Sequence, residues 1–374
     1  MRVLHVVATG QRRGAEVFAA DLVGALDEDG VEQRVAVLHG GDLAVRYVAP
    51  TTVLGADGRG LPGTRMGLPG VRALRRAIRQ WAPDVVQAHG GEALKYSVAS
   101  AARTGSPVIY RRIGSTPRSI GRGPRRTVYG SLMRRAAQVI AVAEAVRQET
   151  LQVFRLPAPR VVTIPNGVDV RRLAPTRERD TVRRALGIPP EAEVVLSLGA
   201  LTWEKDPLSQ VALVAGLLAE HPRAWHLIVG NGPMRAEVQA AVGRQGAAGR
   251  IRLLGAREDV GDVLAASDLL LFASRAGGME GMPATIIEAG MMGLPVAGYD
   301  VAGVSEVVES GVTGLLAPSG DTRRLRAHVA ELLGDAGHRR ALGAAARERC
   351  RTRFDIRAVA PRYLDVYRGV AVAA

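Results

Sequence analysis

Cysteine is nearly absent from this chain. Cys350 is the only one in 374 residues, which excludes a disulfide framework and an intrachain cysteine metal cluster. Lysine is almost as scarce: Lys95 and Lys205 are the only two, so 48 of the 50 basic residues are arginine. Aromatic residues make up 4%, with four phenylalanines. No aromatic-rich or zinc-finger pattern accompanies the positive charge, which argues against nucleic acid as a partner. No apolar run approaches the ~18–20 residues of a membrane span. The start, Met1-Arg2-Val3-Leu4-His5-Val6-Val7, is too short and polar for a secretory signal and reads as the first β-strand of a cytoplasmic protein.

What is present is a globular composition, 47% apolar and 23% charged, in a length suited to two domains of ~150–200 residues. The formal charge is +14, and it is unevenly spread. Residues 1–165 hold 24 basic and 12 acidic residues, whereas residues 166–374 hold 26 and 24. The densest stretch runs from Arg111 to Arg135. It includes Arg111, Arg112, Arg118, Arg122, Arg125 and Arg126, with no Asp or Glu, and Ile120, Val128, Tyr129, Leu132 and Met133 interleaved. Such a segment suits an anionic membrane surface or an acidic acceptor. The plainer reading is a solvated loop and helix face written in arginine by a GC-rich genome.

Short β-branched apolar runs alternate with amphipathic stretches. The first half gives strands at 2–8, 34–39, 84–89, 108–113, 138–143 and 160–164, with helical patterns at 15–26, 71–81 and 145–154. The second half gives strands at 193–198, 225–229, 250–254, 269–273, 295–298 and 314–317. Strand–helix alternation predicts an α/β fold with parallel sheets and right-handed crossovers, here as two Rossmann-like domains. Pro165-Asn166-Gly167-Val168-Asp169 breaks regular structure and marks the joint. The expected division is 1–165, 166–354, and a terminal helical segment 355–374. Ligands of open α/β sheets bind beyond the carboxyl ends of the strands, so two facing domains predict a deep cleft with two half-sites.

The chemistry-bearing segments fall at those strand ends. Glu280-Gly281-Met282-Pro283-Ala284-Thr285-Ile286-Ile287-Glu288-Ala289 follows a strand and the Gly277-Gly278 loop. Proline suits the first helical turn, where a missing N–H costs nothing, and the free N–H groups of a helix starting there form an anion site. Glu280 before the helix and Glu288 along it are placed to bind hydroxyls on either side of a bound phosphate. Lys205, in Gly199-Ala200-Leu201-Thr202-Trp203-Glu204-Lys205-Asp206-Pro207, is placed to neutralise a diphosphate as a point charge. Gly230-Asn231-Gly232-Pro233 is a turn whose glycines permit close approach of a ligand to backbone. In the first half, Arg13-Gly14-Ala15-Glu16 opens the first helix, and His89 ends a strand before Gly90-Gly91. Asp27-Glu28-Asp29 reads as a solvated turn, not a metal grip, and no metal site is expected.

Together these segments resemble the retaining glycosyltransferases of family 4, which have the GT-B fold. The likeness covers nearly the whole chain and includes Gly303-Val304-Ser305-Glu306-Val307-Val308 with the later Gly311 and Gly314. It implies a UDP- or GDP-sugar donor held mainly by the second domain. Glu288 would bind the ribose hydroxyls. Lys205 would hold the diphosphate, helped by backbone N–H groups near Gly281, Met282, Pro283, Ala284 and Thr285 as that segment turns into its helix, and Gly14 would add to them. Asn231 and Gly232 would line the donor, Glu280 would contact sugar hydroxyls, and His89 would contact the donor sugar near its 6-position or the acceptor. The last helix, 355–368, resembles the family's crossover helix that returns to the first domain. One departure is Ala200, where the family usually has an arginine; Arg275, Arg12 or Arg13 would then supply the second cation.

The resemblance further implies transfer of a hexose-type sugar with retention, by front-face attack, to a hydroxyl acceptor, which stays open among a lipid-linked saccharide, a cell-envelope glycan and a small natural product; the excess of basic residues in 1–165 points to an anionic one. No cofactor or metal is required, and the protein would sit in the cytoplasm or at the inner face of the membrane. The alternatives are a nucleotide-sugar epimerase of related fold and, because of Ala200, a catalytically impaired sugar-nucleotide-binding protein.

Overall fold

The computed structural model describes residues 1–41, 43–56, 66–116, 123–245 and 249–373. Arg118 and Arg122 of the basic stretch, and Ile120 between them, lie outside the described residues. The chain divides into two compact units, Met1–Val168 with Ile356–Ala374, and Asp169–Asp355. The change of unit thus falls at Val168/Asp169 and again at Asp355/Ile356.

The first unit is built on a seven-stranded parallel sheet of β1 (Arg2–Val7), β2 (Glu32–Val37), β3 (Thr51–Val53), β4 (Val85–His89), β5 (Val108–Arg112), β6 (Gln138–Ala141) and β7 (Val161–Thr163). Their order is β3-β2-β1-β4-β5-β6-β7. β4 and β5 are buried along their whole length, as expected for parallel strands covered on both faces. β3 was not expected: three residues directly after Pro50 give no alternation to read, and among the described residues the strand is an edge pairing only with β2. Register places His5 beside Gln87, and His89 beside Arg111.

The terminal helix, Ile356–Ala373, belongs to this unit. Its buried residues Ile356, Val359, Ala360, Tyr363, Leu364 and Tyr367 follow the three-and-four spacing of one helical face. They share a core with Val3, Phe18, Leu22, Ile109 and Ile140. The chain thus returns after residue 355 to cover the sheet it began with.

The second unit carries a six-stranded parallel sheet of β8 (Glu193–Leu198), β9 (Ala224–Val229), β10 (Ile251–Gly255), β11 (Leu269–Phe272), β12 (Val296–Asp300) and β13 (Gly314–Pro318). The order is β10-β9-β8-β11-β12-β13. Arginines dock the entry segment onto it. Asp268, just before β11, receives Arg179 at 2.7 Å, Arg183 at 2.8 Å and the backbone N–H of Val194 at 2.7 Å. Arg177 meets the buried Asp262 at 2.8 Å, and these bonds outweigh burial to hold the Asp262 carboxyl down at about 2. Much of the arginine content here is therefore structural, each guanidinium spending its several donors on carboxylates and carbonyls.

Two arginines of the basic stretch are corrected by this fold. Arg111 and Arg112 are not on a surface patch: they end β5 inside the sheet and are buried. The Arg111 guanidinium lies 3.6 Å over the Phe18 ring and hydrogen-bonds Asn166. Arg112 lies over Phe154, bonds Thr116 at 2.5 Å and pairs with Glu149 at 3.4 Å. A strand covered on both faces has no outward side, so a run of arginines there turns inward. Arg125 and Arg126, by contrast, are exposed on the helix Gly123–Arg135.

Candidate active site

β8 and β11 are neighbours although β9 and β10 intervene in sequence. Such a reversal of strand order opens a crevice at the carboxyl ends of the strands. A pocket lies there, lined by Gly199, Ala200, Lys205, Phe272 and Ser274 among others. The loops around it are joined backbone to backbone. Leu201 N donates to Asn231 O at 3.0 Å, Met234 N to Leu201 O at 3.1 Å, and Arg275 N to Glu204 O at 2.8 Å.

Two glycines make this joining possible. A Cβ on Gly230, whose φ is +143°, would overlap the Gly199 carbonyl. One on Gly303, φ +77°, would overlap the Gly281 carbonyl. The immediate reason for the glycine at 230 is therefore contact between two protein loops, where the sequence suggested approach of a ligand.

Lys205 projects from the loop after β8, in the short 3-10 turn Trp203–Lys205. It forms an ion pair with Glu280 and stands 5.2 Å from the centre of the Phe272 ring. Ser274 Oγ donates to the same Glu280 oxygen at 2.8 Å. The two charged groups that the sequence assigned to one site are thus in direct contact, with side-chain exposures of 27% and 13%.

Arg275 joins the same cluster: it pairs with Asp206 at 2.7 Å and lies 5.0 Å over the Trp203 ring. Its backbone N–H bonds the Glu204 carbonyl, one residue before Lys205, but Asp206 already meets its charge. Ala200 is exposed beside the pocket and brings no cation.

The helix Ala284–Met291 begins directly after Pro283, which occupies the N-cap position with φ −68° and ψ 115°. Gly281 and Met282 are buried in the turn before it, and Thr285 in its first turn has a buried hydroxyl with no hydrogen-bond partner. Glu288 sits one turn further on, 7% exposed, and is held by Arg172 at 2.6 Å. Nothing in the sequence singles out Arg172. Its partner is 116 residues away, and no local spacing announces such a contact. Asn231 and Gly232 form the turn after β9, with the Asn231 side chain accepting from Gly232 N at 2.9 Å.

The other two candidates belong to the first unit. Gly14 opens the helix Gly14–Glu28, is exposed, and has open space where a Cβ would stand. His89, at the end of β4, is 2% exposed. Its Nε2 is 3.1 Å from His5 Nδ1, and its own Nδ1 has no partner. Burial first, then the neighbouring His5 and the Arg111 cation, push the His89 pKa well below the ordinary value. Asp27, Glu28 and Asp29 are exposed at the end of the first helix. Among the described residues, no group of three His, Cys, Asp or Glu could hold a metal ion.

Comparison with known proteins decides the family. Residues 12–172 match the model of Glycosyltransferase Family 4, and residues 178–349 that of Glycosyl transferases group 1. The chain belongs to glycosyltransferase family 4. It is a glycosyltransferase, which favours transfer over the epimerase alternative, and its fold is GT-B. A relative at 30% identity over 293 residues, covering 71% of this chain and 67% of that one, is the 2-deoxystreptamine N-acetyl-D-glucosaminyltransferase of Streptomyces fradiae. The D-inositol 3-phosphate glycosyltransferase of Thermobispora bispora is 26% identical over 392 residues, covering 96% and 90%. Among solved structures, Anabaena HepE in complex with UDP and glucose superposes with a TM-score of 0.84 at 22% identity, over 99% of this glycosyltransferase and all of that chain.

Arg172→Ala frees the Glu288 carboxylate from its orienting partner and should weaken nucleotide binding, read with UDP and GDP as probes, by about tenfold. Arg171→Ala, which removes a pairing with Asp169 and none with Glu288, should leave binding unchanged. Calorimetric titration of the two variants measures this, and equal affinities would remove Arg172 from the site.

Proposed function

We propose that this glycosyltransferase moves a hexose-type sugar from a UDP- or GDP-sugar to an acceptor hydroxyl, with retention of anomeric configuration and without a metal ion. The observation that carries the reading is the contact of Lys205 with Glu280 at the crevice between β8 and β11, beside a helix N-terminus. The names of the relatives support it, since they describe transfer of sugars and a complex with UDP.

In this reading the diphosphate takes Lys205 from Glu280, and Glu280 turns to hydroxyls of the donor sugar. The N–H groups at the start of the helix Ala284–Met291, with the unpartnered Thr285 hydroxyl, face the phosphates. Glu288, oriented by Arg172, accepts hydrogen bonds from the ribose. Asn231 and Gly232 flank the donor, and Arg275 adds a second cation once its share with Asp206 is loosened. Gly14 offers its N–H to the phosphates, and His89 meets the donor sugar or the acceptor.

The acceptor oxygen bonds to the anomeric carbon on the face from which the phosphate oxygen departs. The C–O electron pair leaves with the nucleoside diphosphate, and its phosphate oxygen takes the acceptor's proton. No enzyme nucleophile is needed. Lys205 and the helix N-terminus stabilise the charge that builds on the leaving group, a preorganised electrostatic contribution. Those fixed positive ends do the work that a divalent cation would otherwise do.

The acceptor-side reading adds an anionic or lipid-linked acceptor and peripheral contact with the inner membrane face. Support comes from the helix Gly123–Arg135, where Arg125 and Arg126 are exposed with Val128, 58% exposed, beside them. No helix among the described residues is long and apolar enough to cross a membrane.

Released nucleoside diphosphate, measured over UDP-glucose, UDP-N-acetylglucosamine and GDP-mannose with candidate acceptors, tests the transfer. Lys205→Ala should lower turnover about 10²–10³-fold, and Glu280→Gln should reduce sugar transfer while leaving nucleotide affinity intact. Full turnover by Lys205→Ala would sink the phosphate assignment. For the membrane face, Arg125→Glu with Arg126→Glu should abolish co-sedimentation with phosphatidylglycerol vesicles; unchanged sedimentation would show that these arginines are only a solvated face.

A further inference from the structure

A chain of buried side chains in the first unit has its hydrogen-bond polarity set by one backbone carbonyl. Gln33, on β2, donates from Nε2 to the Val23 carbonyl at 2.9 Å. A carbonyl only accepts, so the amide is oriented with Oε1 toward His5, 3.1 Å from its Nε2. That oxygen also only accepts, so His5 carries its proton on Nε2. His5 is fully buried, and burial lowers its pKa to about 4. It is therefore neutral near pH 7, and its Nδ1 is a bare lone pair.

His89 Nε2 lies 3.1 Å from that lone pair and must be the donor. Being neutral as well, His89 is left with a lone pair on Nδ1, the atom that is buried without a protein partner. The surroundings keep the charge state fixed. Phe18 packs 6.3 Å from the imidazole, and Arg111, stacked on Phe18, opposes any positive charge on His89. The other titratable groups around the buried Arg111 are Glu16 of the first helix, itself kept toward its neutral form by burial, and Tyr363 and Tyr367 of the terminal helix.

We propose that Gln33 and His5 are positioning residues that hold His89 as the Nε2–H tautomer, so that its Nδ1 accepts a hydrogen bond from a hydroxyl of the bound sugar or acceptor. The part concerning substrate rests on the transfer reading above; the relay itself does not. A lone pair at the end of β4 favours a neutral polyol over a carboxylate or phosphate at the same place. A sugar oxidised to a carboxylate at the carbon that meets His89 would bring negative charge against an acceptor, with no proton to share.

The test is ring ¹⁵N NMR of histidine-labelled protein. In the unliganded wild type, His89 Nε2 should show the shift and proton correlation of an N–H nitrogen, and Nδ1 the shift of a bare nitrogen. An Nδ1–H tautomer overturns the proposal without any variant. His5→Gln preserves the polarity, since its amide can accept from His89 and donate to Gln33; it should keep both the tautomer and turnover. His5→Phe and Gln33→Leu remove it; each should mix the tautomers and lower turnover about tenfold, with thermal melts confirming that they fold. Unchanged ¹⁵N shifts and unchanged turnover in folded His5→Phe would overturn it. Addition of UDP-glucose, UDP-N-acetylglucosamine or GDP-mannose separates the two readings. If the wild type shows the Nε2–H tautomer but none of the three binds, the transfer reading fails and the relay stands. If one of them binds and turns over while Nδ1 does not respond, the hydrogen bond to substrate is wrong.

Discussion

Strands β8 and β11 lie side by side although the chain visits β9 and β10 between them, and the chemistry of the second unit depends on that adjacency. Parallel strands deliver all their carboxyl ends to one edge. The reversal of order leaves room there, and the loops that follow β8, β9, β11 and β12 crowd around it. Their backbones touch at Gly199 with Gly230 and at Gly281 with Gly303, where a side chain has no space. That packing brings a lysine from one loop and a glutamate from another into contact, in a position set by the sheet. Lys205 and Glu280 are 75 positions apart in the chain, and neither has a local reason to meet the other.

The positive charge of the chain takes on a different meaning in this setting. Arginine serves as a structural fastener throughout. Asp268 gathers Arg179 and Arg183, Arg177 binds Asp262, and Arg111 is buried against Phe18 with Asn166 as its partner. A planar group with five donors can satisfy several carbonyls and a carboxylate at once, which makes these positions unlike a solvated cationic face. The rarity of lysine fits the same pattern. Lys205 stands at the pocket, and Lys95 lies 5.3 Å over the Tyr129 ring, joining the helices Gly91–Ala101 and Gly123–Arg135.

Fold class and family were legible in the sequence because they rest on local signals: β-branched runs, glycine turns at strand ends, and a proline that opens a helix before Glu288. The placement of the terminal helix followed from resemblance, and its buried three-and-four spacing supplies the physical reason. Features that depend on distant partners were not legible. Nothing near Arg172 points to Glu288, and nothing near His89 points to His5, 84 positions earlier. The inward turn of Arg111 and Arg112 was missed because charge was read by type and density, whereas burial is decided by the strand's place in the sheet. β3 escaped because three residues after a proline are too few to show a period.

The proposed chemistry rests on the Lys205–Glu280 pair as the place that receives a diphosphate and a sugar. A crystal structure with the nucleoside diphosphate that binds best tests it directly. Lys205 Nζ should then lie within ~3 Å of a phosphate oxygen, separated from Glu280, with the ribose hydroxyls on Glu288 and the phosphates at the start of the helix Ala284–Met291. A nucleotide bound elsewhere, or bound at the crevice with Lys205 still locked on Glu280 and the phosphates beyond its reach, would contradict it.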